Sequence, residues 1–192
     1  MSNFAFETLA IPGPVLIRPR RFGDARGYFM ETWSLDAFRA GGIDAVFVQD
    51  NQSLSAKCGV LRGLHFQKPP AAQAKLVRVL RGAIFDVAVD LRQGSPHYGR
   101  WCAATLTAGG AEQLFVPAGF AHGFCTLEET TEVAYKVDSP YAPDQEGGLA
   151  WDDPAIGIDW PVARADVLVS DKDARLPGLA GFATPFIESA IR

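Results

Sequence analysis

The sequence predicts a mainly β protein, a sandwich or barrel with short peripheral helices, and three observations carry that expectation. Residues 75–91 place Val77, Val79, Phe85, Val87 and Val89 in period-two alternation, the pattern of strands with one face on a core. The 19 glycines and 13 prolines are spread along the chain, so turn formers interrupt every apolar run after a few residues. No helical periodicity lasts beyond two turns. With 192 residues, 48% of them apolar and 21% charged, the chain fits a single globular domain that buries a sizeable core without disulfide or metal staples. It divides into an N-terminal strand segment of about 1–45, a barrel of about 46–150 and a wrapping tail of about 151–192.

The elements follow in order. Residues 15–33 carry a basic edge (Arg18, Arg20, Arg21) and a strand around Tyr28, Phe29 and Met30. A short amphipathic helix is expected over 35–40, with Ser34 as N-cap and Gly41-Gly42 as its stop. Val46-Phe47-Val48 then opens the strand region, and Gly82 breaks 75–91 into two strands. Short apolar runs at 101–106, 113–116, 123–127 and 133–137 recur at the strand-plus-turn spacing of a sandwich or barrel. From about residue 150 the chain is rich in Asp, Pro and Trp and is expected to wrap the sheets in irregular turns.

Charge and composition narrow the function. A net charge of −4 argues against a general nucleic-acid binder. It conceals an asymmetry: residues 57–100 hold eight Lys/Arg against two Asp, whereas 128–192 hold five Lys/Arg against thirteen Asp/Glu. Cations concentrated mid-chain suggest an anionic small molecule, although a solvated basic face explains the charge equally well. No window reaches the ~18 apolar residues of a membrane span, and the first residues lack the basic and apolar regions of a leader. Cys58, Cys102 and Cys125 form no CxxC and read as reduced thiols of a cytoplasmic protein.

Candidate chemistry begins with His65, in GVLRGLHFQ (59–67). A lone strand histidine is more often structural. Here Gln49, Asn51, Arg62 and Lys75 accompany it, and so many polar groups on core-lining strands are costly unless they meet water or a ligand. Arg62 and His65 are three residues apart, so strict alternation places them on opposite faces unless Gly63 hosts a bulge. His122 lies in PAGFAHGF (117–124), whose Pro-x-Gly-x-x-His resembles the second motif of cupin barrels. Where metal-binding cupins carry His-x-His, this chain has His65-Phe66-Gln67, so no metal site is expected. His97, in GSPHYG, is expected in an exposed turn. Taken alone, Asp171-Lys172-Asp173 is a charged turn and Tyr135, in phase with Val133 and Val137, a core tyrosine.

FVQDNQSLS (47–55), residues 59–96, VPAGFAHGF (116–124), TEVAYKVDSPYAP (131–143) and WDDPAIGIDWP (151–161) closely resemble the dTDP-4-dehydrorhamnose 3,5-epimerases, over roughly residues 12–176. Cys58 and Cys125 are the departures within otherwise matching runs. The resemblance implies a cupin-type jelly-roll barrel, cofactor-free and homodimeric, acting on a dTDP-linked nucleotide sugar. It implies inversion of C3 and C5 of dTDP-4-dehydro-6-deoxy-D-glucose on the way to dTDP-L-rhamnose. It assigns His65 as general base, Asp173 as its carboxylate partner, Lys75 beside the C4 oxygen and Tyr135 as general acid. Arg62, His122, Glu146 and Lys172 match substrate contacts, Gln49 and Asn51 the nucleotide-holding pair, and Tyr141 an aromatic against the thymine. Arg26 and Glu31 match an N-terminal pair whose segment works near the dimer partner.

Three rivals remain open at this stage. A sibling enzyme that epimerises only C3 or only C5 shares the base, lysine and tyrosine. A metal-dependent cupin is disfavoured by the absent His-x-His. A non-catalytic sugar-binding cupin has no use for an acid and a base in different strands.

Overall fold

The structure, a computed structural model, describes residues 2–187. The alternation in 75–91 becomes two strands, β7 (Lys75–Arg81) and β8 (Ala83–Asp90), joined at Gly82. Gly82 has φ +78°, and a Cβ there would stand 2.4 Å from the Thr131 hydroxyl, so the tight reversal depends on glycine. The remaining strands are β1 (Phe4–Thr8), β2 (Val15–Pro19), β3 (Arg21–Asp24), β4 (Gly27–Met30), β5 (Gln49–Ser55), β6 (Leu61–Gln67), β9 (Trp101–Thr107), β10 (Gln113–Val116), β11 (Phe120–Thr126), β12 (Thr131–Val137) and β13 (Glu146–Gly148). One helix, α1, covers Leu35–Ala40.

Two antiparallel sheets form the body, in the orders β1-β2-β10-β7-β12-β5 and β13-β6-β11-β8-β9. Together they make a cupin-type barrel, and β3 pairs with β4 as a separate hairpin. Period two decides where each side chain goes. From β8, Ile84 and Ala88 enter the barrel with Val77, Leu106, Leu114 and Phe124. The other phase, Val87 and Val89 with Leu91, points outward and packs under the tail residues Leu149, Ile156 and Phe186. On the opposite sheet, Ile17, Leu76 and Phe115 face outward under Phe38 of α1 and Ile43. Phe38 meets Phe4 edge-to-face at 5.2 Å, a favoured aromatic geometry. The apolar strands are therefore covered on both faces, except at one end of the barrel.

The helix occupies the expected residues, with Ser34 and Gly41 in the cap positions, although the Ser34 side chain makes no capping bond. Val46–Val48 is not a strand: the ladder with β12 begins at Gln49, opposite Val137 where β12 ends, and Val46 and Val48 are exposed. Apolar alternation predicts no strand at β1, β2, β3, β5 or β13. These elements are short or polar and acquire their conformation from pairing. Among the described residues, the segment after β13 contains two single 3₁₀ turns, Arg164–Asp166 and Asp173–Arg175. His97 lies in a turn but is half-buried, because its amide donates to Ser95 Oγ (3.1 Å) and draws the turn onto the barrel. No helix among the described residues is long and apolar enough to cross a membrane.

Candidate active site

A cavity of about 540 Å³ opens between the sheets, lined by residues from β6, β7, β11 and β12 and by the tail. Its geometry starts at Gly63. β6 and β11 align His65 with His122 and Arg62 with Phe124, so three steps along β6 match two along β11. This bulge re-phases the strand and brings Arg62 and His65 to the same cavity, which strict alternation forbids. Gly63 has φ +139°, and a Cβ would stand 2.5 Å from the Gly123 Cα; only glycine fits between these backbones.

His65 Nε2 lies 2.8 Å from Asp173 Oδ1. Asp173 is buried, and its Oδ2 accepts the Gly63 amide at 3.3 Å. The carboxylate therefore takes the Nε2–H of the imidazole and leaves Nδ1 with its lone pair. Burial holds the His65 pKa below its ordinary value, and Asp173 offsets part of that shift. The 3₁₀ turn at 173–175 carries Asp173 to β6, so the bland charged turn of the sequence becomes part of the site.

The facing sheet supplies Lys75 and Tyr135. Lys75 pairs with Val137 and Tyr135 with Val77 in the β7–β12 register, which makes the two side chains diagonal neighbours on one face. Burial pushes the Lys75 ammonium down to about 8, opposed by the charges of Asp86 and Glu146. Burial raises the Tyr135 phenol, with the Arg62 charge acting the other way. His122 enters from β11 with Nε2 2.7 Å from Asp86 Oδ1.

Beyond His65, Lys75 and Tyr135 the cavity continues into a recess of about 120 Å³ bordered by Gln49, Asn51, Tyr141 and Glu146. Gln49 Nε2 donates to Asn51 Oδ1 (2.8 Å), and Gln49 Oε1 accepts the Tyr141 amide (3.1 Å). Glu146 accepts from Lys172 Nζ (2.5 Å) and from the Tyr141 hydroxyl (3.2 Å). Burial acts to raise the Glu146 carboxyl, but these donors outweigh it and hold the carboxyl below its ordinary value.

Eleven of the thirteen candidate residues thus border the cavity or its recess. Arg26 and Glu31 do not. Arg26 pairs with Asp24 (2.5 Å) at the tip of the β3–β4 hairpin, and Glu31, just past β4, accepts from Asn3 (3.1 Å). Asp86 was not singled out from the sequence. The available signal was a carboxylate in the inward phase of an otherwise apolar strand. Among the described residues, no three His, Cys, Asp or Glu side chains converge as metal ligands would.

Residues 8–181 match the family model described as dTDP-4-dehydrorhamnose 3,5-epimerase. A curated protein of that name from Sinorhizobium fredii is 54% identical over 97% of this chain and 95% of its own length. A crystal structure of the Bacillus anthracis enzyme of that name, with TDP and pyrophosphate bound, superposes with TM-score 0.88 at 46% identity, covering 92% of this chain and 99% of that one. The Legionella pneumophila epimerase, in complex with dTDP-4-keto-L-rhamnose, gives TM-score 0.89 at 40% identity over 94% and 95%.

Proposed function

The chain belongs to the dTDP-4-dehydrorhamnose 3,5-epimerase family, and we propose that it performs this epimerisation with His65 as base and Tyr135 as acid on opposite walls of one cavity. The enzyme is an isomerase that converts dTDP-4-dehydro-6-deoxy-D-glucose to dTDP-4-dehydro-L-rhamnose in rhamnose biosynthesis. The observation that carries the assignment of roles is the division between sheets: His65 stands on β6, whereas Lys75 and Tyr135 stand on β7 and β12 across the cavity.

The protons at C3 and C5 are acidic because removing either leaves charge on the C4 oxygen as an enolate. His65 Nδ1 takes the proton, and Asp173 stabilises the imidazolium that forms. The depressed pKa keeps His65 in its base form at neutral pH. The Lys75 ammonium meets the C4 oxygen, where a fixed, desolvated cation stabilises developing negative charge most effectively. Inversion requires the proton to return from the other side of the ring. Tyr135 donates it from the facing sheet, and the nearby Arg62 charge stabilises the resulting phenolate. No step in this chemistry transfers electrons, so it calls for no redox cofactor.

Arg62 and Lys172 stand at the exposed rim, where forked and point cations suit the diphosphate. Gln49, Asn51 and Tyr141 border the recess suited to the nucleotide. Arg26 and Glu31 are assigned to a partner's cavity in a homodimer. Support comes from the β3–β4 hairpin, where Tyr28 and Phe29 are 60% and 71% exposed, an apolar surface of the kind that interfaces cover. The cytoplasm is the proposed compartment, in keeping with three cysteines that are free thiols.

The test is incubation with dTDP-4-dehydro-6-deoxy-D-glucose in deuterium oxide, read by NMR. Deuterium and inversion are expected at both C3 and C5. Inversion at one centre alone would make the enzyme a mono-epimerase, and incorporation at neither would overturn the assignment.

A further inference from the structure

Behind the cavity-lining His122 stands Asp86, a buried carboxylate that the mechanism above does not use. It lies on β8 in the inward phase, between Ile84 and Ala88, and is completely buried. Its Oδ1 accepts from His122 Nε2 at 2.7 Å, whereas its Oδ2 is buried without a hydrogen-bond partner. Phe124 on β11 and Ala104 on β9 stand opposite it in the sheet, and the Cys102 thiol lies within reach of its charge. A carboxylate in such surroundings is expensive unless a cation faces it. Lys75 is that cation: it is half-buried in the same cavity as His122, it makes no hydrogen bond to a described residue, and Asp86 is the foremost charge favouring its protonated form.

We propose that Asp86 is a positioning residue of the epimerisation site, orienting His122 through one oxygen and supplying a buried counter-charge to the Lys75 ammonium. The proposal rests on the assignment of Lys75 to the C4 oxygen. The consequences follow from donor chemistry. A carboxylate only accepts, so His122 commits its Nε2–H to Asp86, which holds the ring in one orientation at the cavity wall. Asp86 also favours the Lys75 ammonium. The orientation of His122 and the charge of Lys75 therefore depend on one buried carboxylate.

Several other ionisable groups face this pair. Around Lys75 stand Glu146 from β13, His65 from β6 with its partner Asp173, and Tyr135 from β12. Around Asp86 stand His122 from β11 and the Cys102 thiol from β9, which burial first and Asp86 second push up to about 12. Of the carboxylates, Glu146 is already bonded to Lys172 and Asp173 to His65, whereas Asp86 keeps one oxygen unbonded while its charge acts on Lys75.

Asp86→Asn preserves shape and removes the charge. The test compares the pH dependence of kcat/KM for parent, Asp86→Asn and Asp86→Glu on dTDP-4-dehydro-6-deoxy-D-glucose, with dTDP affinity and Tm measured alongside. Loss of the carboxylate makes Lys75 give up its proton at lower pH. The alkaline limb should move down by about one pH unit or more in the Asn variant, kcat/KM at pH 8 should fall at least tenfold, and Glu should restore the limb toward its parental position. An Asn variant with an unmoved limb, whether its activity is uniformly lower or unchanged, overturns the proposal. If Asn does not fold, Asp86→Ser, which leaves room for water, is measured in its place with the same expectation. An inactive parent refutes the epimerase assignment instead, and so separates the two failures.

Discussion

His65 and His122 stand directly opposite one another on β6 and β11, and each turns its Nε2 to a different buried carboxylate, Asp173 at 2.8 Å and Asp86 at 2.7 Å. The two pairs are alike in their bonding and differ in their supports. Asp173 arrives from the tail and Asp86 from the adjacent strand of the same sheet. The cavity thus holds two oriented imidazoles on one wall and faces them with Lys75 and Tyr135 on the other.

With the proposed roles of His65 and Tyr135, that division separates proton removal from proton delivery. His65→Ala should abolish both deuterium exchange and inversion. Tyr135→Phe keeps the ring and deletes the hydroxyl, so His65 still forms the enolate and can return deuterium to the original face. Exchange with retained configuration should persist while inversion falls by about 10²–10⁴-fold. If Tyr135→Phe inverts both centres at the parental rate, the acid is another group.

The pH profile should be bell-shaped. The proposed mechanism requires the base form of His65, and its lowered pKa places the acid limb of kcat/KM below the ordinary histidine value of 6.5. The charged form of Lys75 is required, so activity should fall as pH rises through about 8. Lys75→Arg keeps a charge that does not titrate in this range, so whatever activity survives should lose the limb near 8. A parental limb in that variant would assign it to another group.

Gly63→Ala should cost both stability and activity. The left-handed φ alone is worth about 1–3 kcal/mol, and the new methyl would press on the Gly123 backbone. Calorimetry should show Tm lower by about 2–4 °C for each kcal/mol in a chain of this size. The kcat should fall as well, because the same bulge aims Arg62 and His65. A variant with parental Tm and kcat would mean that the re-phased strand is not needed.

The proposed dimer should have a native mass near twice 20.7 kDa. Phe29→Glu places a charge on the most exposed aromatic of the β3–β4 hairpin and should give a monomer with raised KM, since Arg26 and Glu31 would no longer reach a second cavity. A parental protein that sediments as a monomer at full activity would contradict the assignment of those two residues.

The sequence by itself determined the β class, the helix at 35–40, the strand break at Gly82 and, through long contiguous motifs, the family. These are local properties: alternation, turn formers and motif spacing act over a few residues and are written in order along the chain. It also marked the possibility of a bulge at Gly63, without deciding it.

Tertiary structure alone decided which groups meet. Asp173 reaches His65 across 108 positions of sequence, carried by a tail turn that has no periodicity of its own. Asp86 looked like one more polar residue of a strand until β11 placed His122 against it and β7 placed Lys75 within reach of its charge. The polar β5, invisible to apolar alternation, forms because β12 offers its backbone from Val137 to Thr131. The pKa of Lys75 belongs to the same class of facts. An ammonium is ordinary in the chain and becomes a group that titrates at about 8 only when the barrel closes around it and removes its water.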